Sequence, residues 1–353
     1  MKKTLAIIMG VIFLFGAHCA HLRKKPATAV EHQSATARFI GYKVTVRVKA
    51  TPRQVEEYLL KPENLTAKAG IYELEMASKN QTMRMGEACH FKFKVAKMSF
   101  PCNFTLVYLK PGEELWFLGQ ADIGVMGLIR FHYKAMEGGT RIVVNYENED
   151  PDTVVGGLAE AVNLPEAIVR LIEVEVAKGQ EHFDPSVPVS ELLKKGLRGE
   201  FYDAFFQSHQ ASVWLNAPPH KVQEYLYDPQ SWVLLREKYE MFDFGPCFIN
   251  GDPGPCPVRV KIRGMTFDFD SFPAPSKYGE NLSAYWVNRM GIVRVNFTLK
   301  PEQGGTRFSF ADMLELPSGI TEEGGNLMMT IMQVPATVEK VLLGVKNEIE
   351  GTG

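Results

Sequence analysis

The stretch ATPRQVEEYLLKP, Ala50 to Pro62, returns 167 positions later as APPHKVQEYLYDP, Ala217 to Pro229, identical at seven of thirteen places. Each is preceded by an alternating run, VTVRVKA or ASVWLNA, that reads as a strand ending where proline is tolerated in a first helical turn. The helix that follows carries Val55, Tyr58 and Leu59, or Val222, Tyr225 and Leu226, on one face. Further along, MGLIRFHYKAMEGGTR (Met126 to Arg141) recurs as MGIVRVNFTLKPEQGGTR (Met290 to Arg307). GGLAEAVNLPEAIVRLIEV (Gly156 to Val174) has its counterpart in GGNLMMTIMQVPATVEKVLLGV (Gly324 to Val345). Order is kept and spacing nearly so, which makes the chain two copies of one domain, about residues 43–182 and 208–350.

Between the opening helix and the closing one, YELEMA, CHFKFKV, MSFPCNFTLVYL, ELWFL, GLIRFHYK and TRIVVNYE alternate and are joined by turn residues. Strand, short helical region, hairpin-linked strands and a long final helix make an α+β plan, with helices on one face of an antiparallel sheet. If Gly264-Met265 is a two-residue turn with Gly at its first central position, Lys261 faces Asp268 and Val260 faces Phe269. The same register in the first copy puts Cys102 opposite Phe93 and Cys89 four residues away, about 13 Å and beyond disulfide reach, whereas a different turn would pair the two cysteines. The segments 21–42 and 183–207 read as linkers, the second with a short helix. Gly156-Gly157 and Gly324-Gly325 read as joints before the closing helices. Pro165 and Pro335 either kink those helices or sit in their first turns.

The 353 residues are 45% apolar and 23% charged, enough for two domains with their own cores. With 39 Lys+Arg against 41 Asp+Glu the net charge is −2, which offers no broad field for a nucleic-acid backbone. Lys2 and Lys3, the apolar run Leu5 to Phe15 and the small residues near Ala17 to Ala20 have the layout of a secretory signal over residues 1–20. That places the mature protein outside the cytoplasm, in a periplasm or attached to a membrane facing it. Cys19 stands where a lipoprotein signal puts its lipidated cysteine, but Gly16-Ala17-His18 departs from the usual residues, so anchoring through Cys19 and simple cleavage are both open. Of the five cysteines, Cys247 and Cys256 flank a Gly/Pro-rich loop that can bring their sulfurs together as a disulfide.

The alternating strand, A-x-P-x-x-V-x-E-Y-L, antiparallel strands with a G-G-T-R hairpin and a long closing helix together resemble the helix-grip superfamily. Its members include START-type lipid-transfer domains, polyketide cyclases and aromatases, and birch-pollen-allergen-like carriers. The resemblance implies, in each copy, a curved sheet around a long C-terminal helix with an apolar cavity between them. Its wall would be Leu158, Val162, Ile168, Leu171, Ile172 and Val176 in the first copy, and Met328, Met329, Met332, Val338, Val341 and Leu342 in the second. The same stripes also suit an ordinary filled core.

H-E-x-x-H, G-x-S-x-G, a P-loop and G-x-G-x-x-G are all absent from the sequence, and the eight histidines lack metal-ligand spacing. No cofactor or metal is expected. Asp312 shares the phase of Phe308, Phe310 and Leu314 and points to the apolar side, where a raised pKa would suit an acid, a base or an anchor for a ligand hydroxyl. Tyr146 is its counterpart, and Trp286 with Arg289 could shape a pocket mouth. The leading expectation is an exported carrier of a hydrophobic small molecule, a lipid or sterol-like compound. The alternatives are a didomain cyclase or aromatase, and a scaffold with filled cavities.

Overall fold

The computed structural model describes residues 30–76, 82–95, 98–121, 126–149, 164–197, 199–239, 242–244, 255–262, 264–274, 280–316, 322–331 and 334–351. The signal segment, Cys19, Leu158, Val162, Cys247 and Met332 lie outside them, as do Gly156 and Gly157.

The first copy consists of β1 (Glu31–Val48), α1 (Pro52–Leu59), a 3-10 turn (Pro62–Leu65), β2 (Ala67–Ala69), β3 (Tyr72–Met76), β4 (Ala88–Val95), β5 (Met98–Lys110), β6 (Glu114–Ala121), β7 (Met126–Met136), β8 (Gly139–Glu149) and α2 (Leu164–Phe183). After α3 (Val189–Lys195), the second copy runs β9 (Gly199–Leu215), α4 (Pro219–Tyr227), α5 (Pro229–Tyr239), β10 (Phe242–Phe244), β11 (Cys256–Ile262), β12 (Met265–Pro273), β13 (Asn281–Asn288), β14 (Gly291–Glu302), β15 (Gly305–Glu315), α6 (Glu322–Ile331) and α7 (Val334–Glu350). This α+β pattern fits a tandem helix-grip architecture. Among the described residues no helix is long and apolar enough to cross a membrane.

The repeated residues do the same work twice. Thr140 Oγ1 donates to the Ala50 carbonyl and Thr306 Oγ1 to the Ala217 carbonyl, each at 2.6 Å, which locks the last hairpin to the strand–helix corner. A Cβ on Gly139 or Gly305 would lie 2.0 or 2.2 Å from the carbonyl oxygen of Val48 or Leu215, so both hairpins need glycine there. Helix α1 is further started by a reciprocal cap, in which Thr51 Oγ1 accepts from the Gln54 amide and Gln54 Oε1 accepts from the Thr51 amide.

The two copies share one antiparallel sheet in the order β10-β11-β12-β13-β14-β15-β9-β1-β8-β7-β6-β5-β4-β3-β2. Each first strand pairs with the last strand of its own copy, β1 with β8 and β9 with β15. The two first strands also pair with each other, from Glu31↔Ser212 to Val44↔Gly199. Much of both presumed linkers is therefore strand. Residues 31–42 and 199–207 were hidden from periodicity because their partner is the other copy and because the outer end of β1 is exposed. Aromatic rings cover the glycines of this seam: a Cβ on Gly41 would meet the Tyr202 ring at 2.4 Å, and one on Gly199 the Tyr42 ring at 2.0 Å.

Three cores result. One lies between α1, α2 and the inner face of the first copy's strands, and a second occupies the same place in the second copy. The third joins the outer faces of both halves, with Trp116, Leu118 and Leu128 of the first copy beside Phe272, Tyr285 and Ile292 of the second, and Phe39 and Phe206 from the two first strands. The copies are thus fused through a buried seam.

The hairpin register differs from expectation by two residues. Ile262 pairs with Met265, Arg259 with Asp268 and Val260 with Phe267, because Gly264, at φ +77°, occupies the second central position of the turn. The first copy shows the same shift, with Cys102 opposite Phe91 and Cys89 opposite Phe104. Cys89 is a buried free thiol. Gly324 and Gly325 are not a joint ahead of a helix but part of α6. A Cβ on Gly325 would lie 2.5 Å from the end of the Leu316 side chain, which would have to shift to admit it. Pro165 and Pro335 are each the second residue of their helix.

Candidate functional site

Alternation along the first copy's strands sends Val46 and Val48 of β1, Phe117 of β6, Ile129 and Phe131 of β7, and Ile142 and Val144 of β8 to the inner face. Helix α2 lies opposite and presents Ile168, Leu171, Ile172, Val176 and Phe183 at helical spacing, while α1 closes the end with Val55, Tyr58 and Leu59. These surfaces do not meet. They leave a cavity of about 170 Å3, counted as room for the centre of a water-sized sphere. That is an order of magnitude more than the roughly 10–15 Å3 one water requires. Its walls are almost wholly carbon, an environment that water occupies poorly.

Glycines help to keep the space open. Gly179 lies on the cavity side of α2, where an added Cβ would meet, among the described residues beyond its own stretch of helix, the Tyr58 ring at 3.7 Å, an ordinary contact distance. Gly119 and Gly127 face each other across β6 and β7 on the opposite wall.

Few polar groups reach this space. Tyr146 is buried, donates to Asn148 Oδ1 at 2.9 Å and lines the cavity with Asn148 and Gln120. Burial holds its phenol well above the ordinary range. Gln120 Nε2 also donates to Tyr285 of the second copy at 2.6 Å, linking this end of the cavity to the seam. Toward α1, Glu175 projects from the apolar stripe of α2, and burial pushes its carboxyl well above the usual range against the opposing charge of Lys178. Tyr58, pushed up to about 12 by burial and by Glu175, lines the same end. Sequence reading passed over Glu175 and Tyr58 as site residues. The available signal was an acid falling on the apolar phase of α2, three residues after Ile172.

Of the residues singled out in the sequence as site or cavity wall, Tyr146, Ile168, Leu171, Ile172 and Val176 meet at this cavity. Trp286, Met329, Val338 and Leu342 are buried together in the second copy's core, and Met328 lies on α6. There the Trp232 ring of α5 packs at a tilt against Phe297, centroids 5.7 Å apart, and Phe297 packs on Phe308 and Phe310. The first copy has only the 3-10 turn where α5 follows α4 in the second. Cys256 is buried at the start of β11 opposite Ser271, and its proposed partner Cys247 lies outside the described residues.

Asp312 is 8% exposed on the inner face of the second copy, and its Oδ1 accepts the His209 amide at 3.1 Å. Burial raises its carboxyl to about 7. His209 is 1% exposed; its Nε2 lies 3.2 Å from His32 Nδ1, and His32 Nε2 lies 3.6 Å from Glu339. Burial, then His32, pushes the His209 imidazole down to about 4. Among the described residues no group of three or more His, Cys, Asp or Glu side chains could hold a metal ion.

No family model matches the sequence, and no curated protein matches it. Solved structures do. The di-domain ARO/CYC StfQ from the steffimycin biosynthetic pathway is 12% identical, covering 88% of this chain and 98% of its own, with a TM-score of 0.35. DynU16, from the dynemicin biosynthetic locus, is 11% identical over 88% of this chain and 98% of its own, with a TM-score of 0.28. Ara h 8.0201 is 12% identical over 41% of this chain and 99% of its own, with a TM-score of 0.31. At such identities and scores these likenesses carry no argument about activity, and the functional reading rests on the chain's own residues.

Proposed function

We propose that this protein binds an apolar small molecule in the cavity of its first copy and serves as its carrier or sensor. The observation that carries the reading is the cavity itself, a carbon-lined space held open between α2 and the sheet with polar groups confined to its ends. Burying an alkyl ligand there gains about 0.8 kcal/mol per methylene, and preformed walls keep the ordering cost small. A lipid or sterol-like molecule suits the space, and the signal-like N-terminus supports export to a periplasm, with Cys19 as a membrane tether. Organic extraction of protein purified from its native host, followed by mass spectrometry, should release an apolar compound in near-stoichiometric amount. Recovery of no such compound, together with failure of the delipidated protein to bind alkyl probes, would exclude the carrier reading. For the tether, Cys19→Ser should move the protein from the membrane to the soluble fraction, and unchanged partitioning would remove it.

A second reading, proton-transfer chemistry of cyclase type, is favoured by Asp312. Its carboxyl titrates near neutrality on the inner face of the second copy, beside the neutral His209. In that reading Asp312→Asn abolishes turnover of a candidate polycyclic substrate while the fold survives.

A further inference from the structure

Among the described polar groups lining the cavity, Glu175 carries a buried oxygen that the fold leaves without a hydrogen-bond partner. Its Oε1 is buried and accepts no hydrogen bond from any described residue. The nearest cation, Lys178 Nζ, is 3.7 Å away and spends a donor on the Thr66 carbonyl. At the other end the situation is reversed, since Tyr146 is already satisfied by Asn148, and Gln120 by Tyr285. Oε1 itself is closed off, and the 18% of the Glu175 side chain that remains accessible lies on its other atoms at the cavity lining, so this oxygen meets a ligand once the carboxyl turns toward the cavity.

A buried, unsatisfied carboxyl oxygen costs on the order of 1–3 kcal/mol, and a ligand that hydrogen-bonds to it recovers that cost on binding. The form of Glu175 decides what kind of group can do so. Lys178 Nζ already stands 3.7 Å from this oxygen, so a ligand ammonium would meet like charge, and burial pushes the carboxyl up toward its neutral form against that cation. Its complement is a neutral oxygen function, not an ammonium. The distribution of polarity along the cavity sets the rest of the ligand: apolar from the Ile168–Ile172 turn of α2 onward, with a single polar head under Tyr58 and Gly179.

Resting on the carrier reading, we propose that Glu175 anchors the ligand, and that the first copy selects apolar molecules bearing a hydroxyl group at the α1 end of the cavity over hydrocarbons of the same size. A carboxyl group placed at the third residue after Ile172, on an otherwise apolar stripe, then has a use that packing alone does not give it.

The test compares decan-1-ol, n-decane and decylamine on the delipidated full chain, by headspace partition for the first two and calorimetry for the amine. Three proteins are used: wild type, Glu175→Leu and Glu175→Gln. Wild type should favour decanol over decane by roughly three- to tenfold more than Glu175→Leu does, the span of one net hydrogen bond. Glu175→Leu should bind decane at least as well as wild type, which also shows that it is folded. Glu175→Gln, which keeps an acceptor and donor at the site, should restore most of the decanol preference. An unchanged decanol-to-decane ratio in Glu175→Leu overturns the anchor while leaving the carrier reading intact. Absence of decane and decanol binding in all three proteins overturns the carrier reading and the anchor with it. Tighter wild-type binding of decylamine than of decanol shows an ionised site and overturns the hydroxyl assignment.

Discussion

Arg130 of the first copy and Glu315 of the second form an ion pair across the seam between the two halves of the sheet. Arg130 also pairs with Glu147 at 2.8 Å and lies 4.8 Å above the Trp116 ring, and Glu147 accepts the Tyr202 hydroxyl at 2.9 Å. Arg130 and Glu147 are less than a tenth exposed. Removing the cation alone would strand two buried carboxylates, so Arg130→Ala is expected to cost about 3–5 kcal/mol in urea unfolding. Replacing all three charges together (Arg130→Met, Glu147→Gln, Glu315→Gln) should cost much less. Equal losses in the two variants would mean that packing and not charge holds this point of the seam.

Gly41 tests the same seam without charge. Its Cβ position is occupied by the Tyr202 ring, and the packed seam can yield only by shifting that ring away from Glu147. Gly41→Ala should therefore destabilise by about 1–3 kcal/mol, typical of overpacking. The double variant Gly41→Ala/Tyr202→Ala should lose less than the two single losses combined, because each removes the other's clash or contact. Additive losses in a thermal or urea series would contradict the contact.

Stability should fall as pH rises from 5 to 8, with Asp312 a principal cause. Its folded pKa is raised from 3.8 to about 7, so its contribution is complete below 3.8 and is lost as pH climbs through 7. Glu315, raised to about 7 by burial, acts in the same direction. His209, lowered to about 4, acts in the opposite one: its contribution is lost as pH falls from 6.5 toward 4. Asp312→Asn keeps an acceptor for the His209 amide and removes the ionisation. It should gain roughly 2–3 kcal/mol relative to wild type on going from pH 5 to pH 8. A difference that does not change with pH would show that Asp312 titrates as an ordinary carboxyl group.

The duplication, the hairpin-linked strands and the apolar faces of α1 and α2 were legible in the sequence because each follows a local period. The fusion of the copies was not. The β1–β9 ladder pairs polar stretches such as HQSATAR with residues about 170 positions away, and no periodicity marks an exposed strand whose partner is so distant. The register slipped because one glycine fits either central position of a two-residue turn, and the choice moves every partner by two. Phase put Tyr146, Ile168 and Ile172 on the apolar side, where they line the cavity, but phase alone suits a filled core equally well. Glu175 shares that phase but was passed over, since an acid on an apolar stripe looks like an interruption until the space in front of it is seen.

The carrier account can be separated from an ordinary packing defect by filling the cavity. Gly179→Leu places an apolar side chain into the open space at a position where Leu favours helix more than Gly by about 1 kcal/mol. The folded protein should become more stable by about that amount in urea while its ligand binding is lost. Loss of both stability and binding would mean that the space is already needed by the surrounding side chains.

The most direct measurement is calorimetric titration of the delipidated full-length protein with straight-chain alcohols from octan-1-ol to dodecan-1-ol. The account predicts saturable binding at one cavity site that tightens about fourfold with each added methylene and is abolished by Gly179→Leu. Affinity independent of chain length, or the same binding in Gly179→Leu as in wild type, would contradict it.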